Sequence, residues 1–348
     1  MSAYQTPFQI TPSILSLVAE ISEQLGRWSA NLGEGDEGLS PQLRRGNRIR
    51  TIQASLAIEH NSLTLEQVTA VLDGKRVLGL PREIQEVRNA FAAYEQLPHW
   101  QPHNPNHLLA AHGLLMQGLV DDAGCWRSSG VGIYQEQQLV HMAPPPSQVQ
   151  RLMTDLLAWL KQNTVHPLVA SCVFHYEFEF IHPFSDGNGR MGRLWQTLIL
   201  SQWKPALAYL PVETVIRNQQ SEYYAALSAA DQASDATGFV EFMLQALLAA
   251  MQEVVLVAPD NDSSALSRHQ VGTKLKLSAD QLLVYEQIEG EMSLVELMAL
   301  LNRKDRTKFR QQVLTPLIDL GLVEATIPDK PTSSRQKYRL KREDDLWI

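Results

Sequence analysis

Two apolar segments, at 165–180 and 188–203, stand on either side of a short stretch rich in glycine and charge. Their apolar residues recur at helical spacing, which predicts two helices. The stretch between them, from Ile181 to Arg193, reads I-H-P-F-S-D-G-N-G-R-M-G-R. It is therefore predicted to be a loop that opens into the N-terminus of the second helix.

This loop has the features of a phosphate site. Gly187 and Gly189 allow backbone conformations that let successive N–H groups converge on an anion. The dipole of the helix that follows adds to that attraction. Arg190 and Arg193 lie three residues apart on the first turn, where guanidinium groups match phosphate geometry. The pattern predicts a polyphosphate ligand.

Two further residues of the loop carry reactive groups. Asp186 precedes the glycines and supplies a hard oxygen ligand for a Mg²⁺ that also binds substrate phosphates. His182 can accept a proton near neutral pH, as an imidazole with an ordinary pKa near 6.5 does. We therefore expect His182 to act as a general base. His175, Glu177 and Glu179 lack the H-E-x-x-H spacing, are expected on different helical faces, and are interpreted as structural.

The segment resembles the signature of the Fic family, H-x-F-x-(D/E)-G-N-G-R-x-x-R, at every specified position. The resemblance implies a helical core over about residues 106–244 and transfer of AMP from Mg-ATP to a Ser, Thr or Tyr hydroxyl of a protein, the chain itself included. It implies that His182 deprotonates the hydroxyl, that Asp186 holds Mg²⁺, and that Arg193 holds the γ-phosphate. Phosphate contacts are implied for Gly187, Asn188, Gly189 and Arg190.

An upstream segment, 55–61, resembles the inhibitory helix pattern of the same family, (S/T)-x-x-x-E-(G/N), with His60 at the last position. The resemblance implies that Ser55 and Glu59 act as a brake. A carboxylate that pairs with Arg193 would occupy the donor that the γ-phosphate needs. The alternative role for Glu59, which some family members show, is to position water for removal of AMP.

Two other regions are assigned by the same resemblance. The β-prone stretch 124–142 is predicted to be a hairpin, and Val131, Gly132 and Ile133 resemble the flap that docks a target by strand addition. The alternative is an ordinary surface hairpin. Asn218, Tyr223 and Tyr224 resemble the wall on the adenine side, although tyrosines at helical positions are also typical of a core.

We predict a mainly α fold in four parts. Residues 1–104 form a helical region with the inhibitory segment, 105–257 the catalytic core, 258–276 a polar linker, and 277–348 a winged helix-turn-helix domain of three helices and a β-hairpin. Predicted helices include 104–119 and 218–230 in the core and 305–320 in the last domain.

Composition limits the partners. The 348 residues carry a formal net charge of -8, which gives no overall attraction to nucleic acid. Basic residues of the last domain leave DNA contact as an alternative to a solvated face: Arg303, Lys304, Arg306, Lys308, Arg310, Arg335, Lys337 and Arg339. Two distant cysteines, no signal-like N-terminus and no long apolar run predict a cytoplasmic protein without a membrane span.

Three hypotheses follow for function. The first is a protein adenylyltransferase restrained by Glu59. The second is a nucleotide-sensing DNA-binding regulator, and the third is an enzyme of the same family that transfers phosphate or phosphocholine. The intact G-N-G-R and Arg193 favour AMP. The sequence leaves open whether the chain forms a homodimer.

Overall fold

The computed structural model describes residues 6–31, 41–135, 138–257, 277–288, 290–301, 303, 305–320, 322–327 and 336–341. The chain divides into two compact units, 1–255 and 256–348. The predicted linker 258–276 lies outside the described residues, as do Lys304 and Arg335. Among the described helices, none is both long and apolar enough to cross a lipid bilayer.

The described residues of the first unit are helical apart from one hairpin, which confirms the predicted fold class. Its helices are α1 (Pro12–Asn31), α2 (Pro41–Ile58), α3 (Leu65–Leu72), α4 (Pro81–Glu95), α5 (Pro105–Leu115), α6 (Pro146–Gln162), α7 (Pro167–Ile181), α8 (Asn188–Trp203), α9 (Val212–Asn218), α10 (Gln220–Ala233) and α11 (Thr237–Val257). Short 3₁₀ turns occupy Leu97–His99 and Pro205–Tyr209.

Proline sets the start of many of these helices. It is the first residue of α1, α2, α4, α5, α6 and α7. A proline at this position has its φ already near the helical value, and it lacks an N–H that the first turn could not have used. Asn104 adds a side-chain cap to the N–H of Asn106 at the start of α5.

Helices α7 and α8 form the centre of the unit. Nearly every residue of α7 is buried, and α8 is buried from Arg190 to Leu200. One apolar cluster, with Phe174, Phe178 and Trp195, joins this pair to α2, α4, α5 and α6, while a second cluster joins it to α1, α10 and α11. The loop between α7 and α8 is thus anchored by the two best-packed elements of the unit.

Two predicted helices have different bounds. The helix predicted at 104–119 ends at Leu115, and Gly118 follows with a φ of 71°, which closes a turn. The helix predicted at 218–230 is two helices, because Gln219 leaves helical geometry with φ −116° and ψ 37°. The polar run from Arg217 to Gln220 has no apolar period that would have revealed this break.

The second unit contains α12 (Ala279–Gln287), α13 (Leu294–Leu300), α14 (Arg306–Phe309) and α15 (Thr315–Asp319), with a π-helical segment Arg310–Leu314 between the last two. Strands β3 (Met292–Ser293), β4 (Val323–Ala325) and β5 (Lys337–Leu340) form an antiparallel sheet in the order β3-β5-β4. The core of this unit includes Leu297, Phe309, Leu317 and Tyr338. Strand β3 was not predicted, and the winged-helix assignment stays a prediction.

Candidate functional site

The loop between α7 and α8 is held open by two left-handed residues. His182 caps α7 with φ 50° and ψ 62°, and Gly187 precedes α8 with φ 84°. The side chain of Asn188 closes the loop, since it accepts a bond from the N–H of Phe184 and donates one to its carbonyl, each at 2.9 Å. Because Asn188 is only 2% exposed, the backbone N–H is the group left for its predicted phosphate contact.

Phe184 and His112 brace the loop from beneath. The Phe184 ring is fully buried and stacks on His112, with ring centroids 3.6 Å apart, and on Trp126 at 5.2 Å. Gly124 N–H donates to Nδ1 of His112, so the proton lies on Nε2, which donates to the Asp186 carbonyl at 3.0 Å. Burial lowers the pKa of His112, which keeps the ring neutral.

Arg127 ties the base of the hairpin to the same loop. Its buried guanidinium donates to the carbonyls of His182 at 2.7 Å and Ile181 at 3.2 Å. It also donates to Pro144 at 2.6 Å and Ser129 at 2.9 Å. One side chain therefore fixes both the segment before the hairpin and the backbone that presents His182.

His182 presents its ring at the mouth of the site, with 17% of the side chain exposed. Nδ1 lies 3.3 Å from the carbonyl oxygen of Glu179. A proton on Nδ1 directed at this carbonyl leaves the lone pair on Nε2, which is the tautomer that a general base requires.

Arg193 is bonded to the last turn of α2 and to the residue that follows it. Its Nη2 donates to Oε1 of Glu59 at 2.8 Å and to the carbonyl of Ser55 at 3.0 Å, and its Nε donates to the hydroxyl of Ser55 at 3.0 Å. Burial alone would raise the pKa of Glu59, but the charge and the hydrogen bond of Arg193 outweigh it and lower that pKa. The pKa of Arg193 is raised although burial opposes this, because Glu59 lies beside it. The two groups form an ion pair at neutral pH.

The Glu59 carboxylate also lies against the start of α8. A Cβ on Gly189 would overlap Oε1 of Glu59, so the absence of a side chain at Gly189 makes room for this anion. The carboxylate therefore sits over the glycine that the sequence assigns to phosphate binding.

The end of the segment 55–61 is set by His60 and Asn61. His60 takes a left-handed conformation with φ 69°, and the N–H of Asn61 returns to the carbonyl of Leu56 at 3.1 Å. The buried Asn61 side chain donates to the Glu83 carbonyl at 3.2 Å and to Glu86 at 2.9 Å. A histidine thus fills the helix-ending position, and Asn61 fastens the segment to α4.

Asp186 and Arg190 belong to a chain of ion pairs that ends on α4. Arg190 donates to Oδ1 of Asp186 at 2.8 Å and lies 3.3 Å from Glu86. Oδ2 of Asp186 accepts from Arg82 at 3.2 Å. The Asp186 side chain is 41% exposed, which suits a carboxylate that holds Mg²⁺ together with phosphate oxygens and water. Among the described residues, no three His, Cys, Asp or Glu side chains are grouped as a metal site.

The predicted hairpin is present as β1 (Gly132–Gln135) and β2 (Gln138–Met142), which pair antiparallel with an irregularity between Ile133 and Tyr134. Val131 immediately precedes β1, which begins at Gly132, and the Val131 carbonyl accepts from Ala143 N–H at 3.2 Å. The side chain of Ile133 lies outside what the structure describes.

The three residues predicted on the adenine side have different surroundings. Asn218 ends α9 and is exposed. Tyr223 is 1% exposed and shares a hydrogen bond of 2.8 Å with Nε2 of His175, so it belongs to the core. Tyr224 is 38% exposed. Burial raises the pKa of Tyr224, and the nearby charge of the Glu59 carboxylate raises it further.

Comparison with known proteins decides the family. Residues 102–200 match the Fic/DOC family model, and residues 279–341 match the model described as "Filamentation induced by cAMP protein Fic-like, C-terminal domain". A crystal structure of a Fic family protein from Desulfovibrio desulfuricans G20 is 56% identical, covers 97% of this chain and 98% of its own, and has a TM-score of 0.70. This chain belongs to the Fic/DOC family.

More distant members of the Fic/DOC family match part of this chain. The protein adenylyltransferases fic-1 of Caenorhabditis briggsae and Caenorhabditis elegans are each 28% identical over 249 residues, a match that takes in 68% of this chain and 46% of theirs. The chain thus spans about half the length of these relatives. A solved fragment of Fic-1 from C. elegans has a TM-score of 0.55 at 23% identity over 70% of this chain and 73% of its own, which supports the fold alone.

Three residues that hold either the loop between α7 and α8 or the segment 55–61 were not found from the sequence as site residues. His112, Arg127 and Asn61 lie 74, 55 and 22 residues from their main partners Asp186, His182 and Glu83. Their contacts depend on how distant helices pack. The burial that makes Arg127 require several acceptors is seen only in the structure.

Proposed function

We propose that this chain is a protein adenylyltransferase that moves AMP from Mg-ATP to a protein hydroxyl and is held in check by Glu59. The similarity to the protein adenylyltransferases fic-1 supports the reaction. The observation that carries the proposal is the pairing of Arg193 with Glu59, at 2.8 Å, over the start of α8. An anionic ligand that binds Arg193 would have to displace the Glu59 carboxylate.

The site residues suit an in-line transfer. The N-terminus of α8, with Gly187, Gly189 and Arg190, would bind the phosphates. Arg193 would then hold the γ-phosphate and place the α-phosphate for attack. Asp186 would hold Mg²⁺ of the Mg-ATP substrate, and the metal's charge would offset the charge that develops on the phosphates. Tyr224 remains the aromatic candidate on the adenine side, because Tyr223 is buried.

The chemical step balances with His182 as base. The target oxygen bonds to the α-phosphorus while the bond from that phosphorus to the bridging oxygen breaks, and pyrophosphate leaves with the electron pair. The hydroxyl proton passes to Nε2 of His182. The carbonyl of Glu179, 3.3 Å from Nδ1, keeps the ring in the tautomer that accepts it. We place the target backbone along the hairpin edge that starts at Val131, Gly132 and Ile133.

The strength of the proposed inhibition by Glu59 follows from the hydrogen bonds that Arg193 makes. A hydrogen bond between charged groups contributes about 1.5–3 kcal/mol. If the γ-phosphate must displace the hydrogen bond between Glu59 and Arg193, removal of Glu59 raises the rate of AMP transfer by about 10- to 150-fold. Ser55 contributes neutral bonds to the same guanidinium, so its removal is expected to have the smaller effect.

Intact-protein mass after incubation with Mg-ATP tests the proposal. We expect a slow gain of one AMP in the wild type, a faster gain in Glu59→Gly, and no gain in Glu59→Gly with His182→Ala. Glu59→Gln keeps the size of the side chain without its charge and should fall between wild type and Glu59→Gly. A gain of one phosphate would redirect the proposal to phosphotransfer, and equal rates in wild type and Glu59→Gly would refute the brake.

A further inference from the structure

The carboxyl group of Glu179 is buried directly behind the base and has no role in the mechanism above. Glu179 lies in the last turn of α7, three residues before His182, and is 8% exposed. Its Oε1 has no hydrogen-bond partner in the described part of the chain. A buried carboxyl oxygen without a partner is costly, so an apolar residue would serve the packing of this turn better.

Glu179 shares one face of the helix end with two histidines. Its Oε1 lies 3.9 Å from Nε2 of His175, and its Oε2 lies 3.9 Å from Nδ1 of His182. The sequence argument that separated these residues onto different helical faces was wrong, because spacings of four and three residues bring them together on α7. On the other side, a Cβ on Gly192 would lie 2.5 Å from Oε1, so a glycine of α8 makes room for this carboxyl.

His175 does not account for the position of Glu179. Nδ1 of His175 bonds to Oε1 of Gln196 at 2.7 Å and must donate to it, so Nε2 accepts from the hydroxyl of Tyr223 at 2.8 Å. Burial lowers the pKa of His175 to about 3, and the ring is neutral. Both nitrogens have their partners, which leaves His182 as the histidine that Glu179 can serve.

We propose that the side chain of Glu179 is a positioning residue for AMP transfer, which holds the Nδ1 edge of His182 and, as an anion, stabilises the imidazolium formed when Nε2 takes the hydroxyl proton. The inference rests on the proposed function. Two oxygens of Glu179, the carbonyl at 3.3 Å and Oε2 at 3.9 Å, then face one N–H. Oε2 needs to approach by roughly 1 Å to reach the length of a charge-assisted bond, about 2.7–2.9 Å.

The surroundings let this carboxyl change charge near neutral pH. Burial raises the pKa of Glu179 to about 8, Arg193 opposes the rise, and Glu59 adds to it. The titratable and charged groups that act on Glu179 come from four elements: His175 and His182 at the end of α7, Arg193 of α8, Glu59 after α2, and Tyr223 and Tyr224 of α10.

The Glu179 anion therefore becomes populated as pH passes about 8, and a new positive charge on His182 would favour it further. In the transfer step the target proton moves to Nε2, and the Nδ1 proton stays on the ring and donates to Oε2. No oxidant or further reactant takes part. The proton that Glu179 gives up in forming the anion goes to solvent before the step.

The activity test uses Glu59→Gly as parent and follows the rate of AMP gain from pH 5.5 to 9. The parent should show a second rise in rate at or below about pH 8, where Glu179 ionises, since the loss of Glu59 removes one of the charges that raise the pKa of Glu179. Glu179→Gln, which has the same shape without a titratable group, should lack this rise and be about tenfold slower at pH 9. Glu179→Asp should restore part of the rise. If Glu179→Gln has the same profile as the parent, the inference is wrong.

A spectroscopic test measures the interaction between Glu179 and His182 without turnover. Imidazole ¹⁵N shifts of His182, assigned by comparison with His182→Ala, should show a titration step near pH 8 that is absent in Glu179→Gln. Its absence from the wild type would overturn the inference even if AMP transfer is observed. Conversely, a parent that gains no AMP while the step is present would refute the proposed reaction and leave the pairing of Glu179 with His182 standing.

Discussion

Replacement of Glu179 by Gln should make the stability of the first unit less dependent on pH. The folded protein keeps the Glu179 carboxyl protonated up to about pH 8, whereas the unfolded chain loses that proton near 4.5. Between these values the folded state binds more protons, so the free energy of unfolding falls as pH rises. Stability from this group is fully present below pH 4.5 and lost as pH rises through about 8.

The size of the effect follows from the same interval. At about 1.4 kcal/mol per pH unit, the span from 4.5 to about 8 corresponds to at most about 5 kcal/mol. Glu179→Gln has no proton to lose, so its advantage over the wild type should grow from near zero at pH 5 to several kcal/mol at pH 8. For a unit of this size that is roughly 2–4 °C in Tm for each kcal/mol.

Urea unfolding at pH 5, 6, 7 and 8, followed by tryptophan fluorescence, measures the difference. Six of the seven tryptophans lie in the first unit, so the signal reports mainly on it. Glu222→Gln changes an exposed glutamate of α10 and serves as the control, with a difference that should stay constant. If the advantage of Glu179→Gln is equally constant across this range, the carboxyl is not held protonated and the reasoning fails.

Three further substitutions test the contacts around the loop. Arg127→Ala should lower the free energy of unfolding by about 3 kcal/mol, because four carbonyls lose a buried donor; chemical denaturation checks this, and a change below about 1 kcal/mol would contradict it. Asn61→Ala should raise AMP self-transfer about threefold to tenfold by loosening the inhibitory segment from α4; a slower rate than wild type would count against that role. Arg82→Ala, in the Glu59→Gly background, should lower the Mg²⁺ concentration that gives half-maximal rate by about twofold to threefold. The reason is that the mostly exposed Arg82 cation no longer competes with Mg²⁺ for Asp186. A higher Mg²⁺ concentration for half-maximal rate would refute this prediction.

The candidate catalytic loop between α7 and α8 could be predicted because its information is local. His182, Asp186, the glycines and both arginines fall within twelve consecutive residues. Such a segment needs only a helix before it and a helix after it to take its shape. The mainly α fold followed in the same way, from helical spacing and from prolines at helix starts.

The remaining contacts depend on packing that no local pattern encodes. Glu59 and Arg193 are 134 residues apart, and only the resemblance to a family pattern suggested that they meet. His112 and Asn61 read as ordinary helical or helix-ending residues until α5 and α4 are placed beside the loop. Tyr223 was predicted at a ligand site, but it lies in the core. An aromatic residue at helical spacing does not reveal from the sequence which face of its helix is buried.

Labelled ATP tests the central claim most directly. Glu59→Gly is incubated with Mg²⁺ and ATP that carries ³²P either at the α-position or at the γ-position, and protein-bound label is counted after denaturation, with Glu59→Gly/His182→Ala in parallel. We predict stable label from α-³²P alone, lost when His182 is replaced. Label from γ-³²P, or equal labelling without His182, would contradict transfer of AMP by this site.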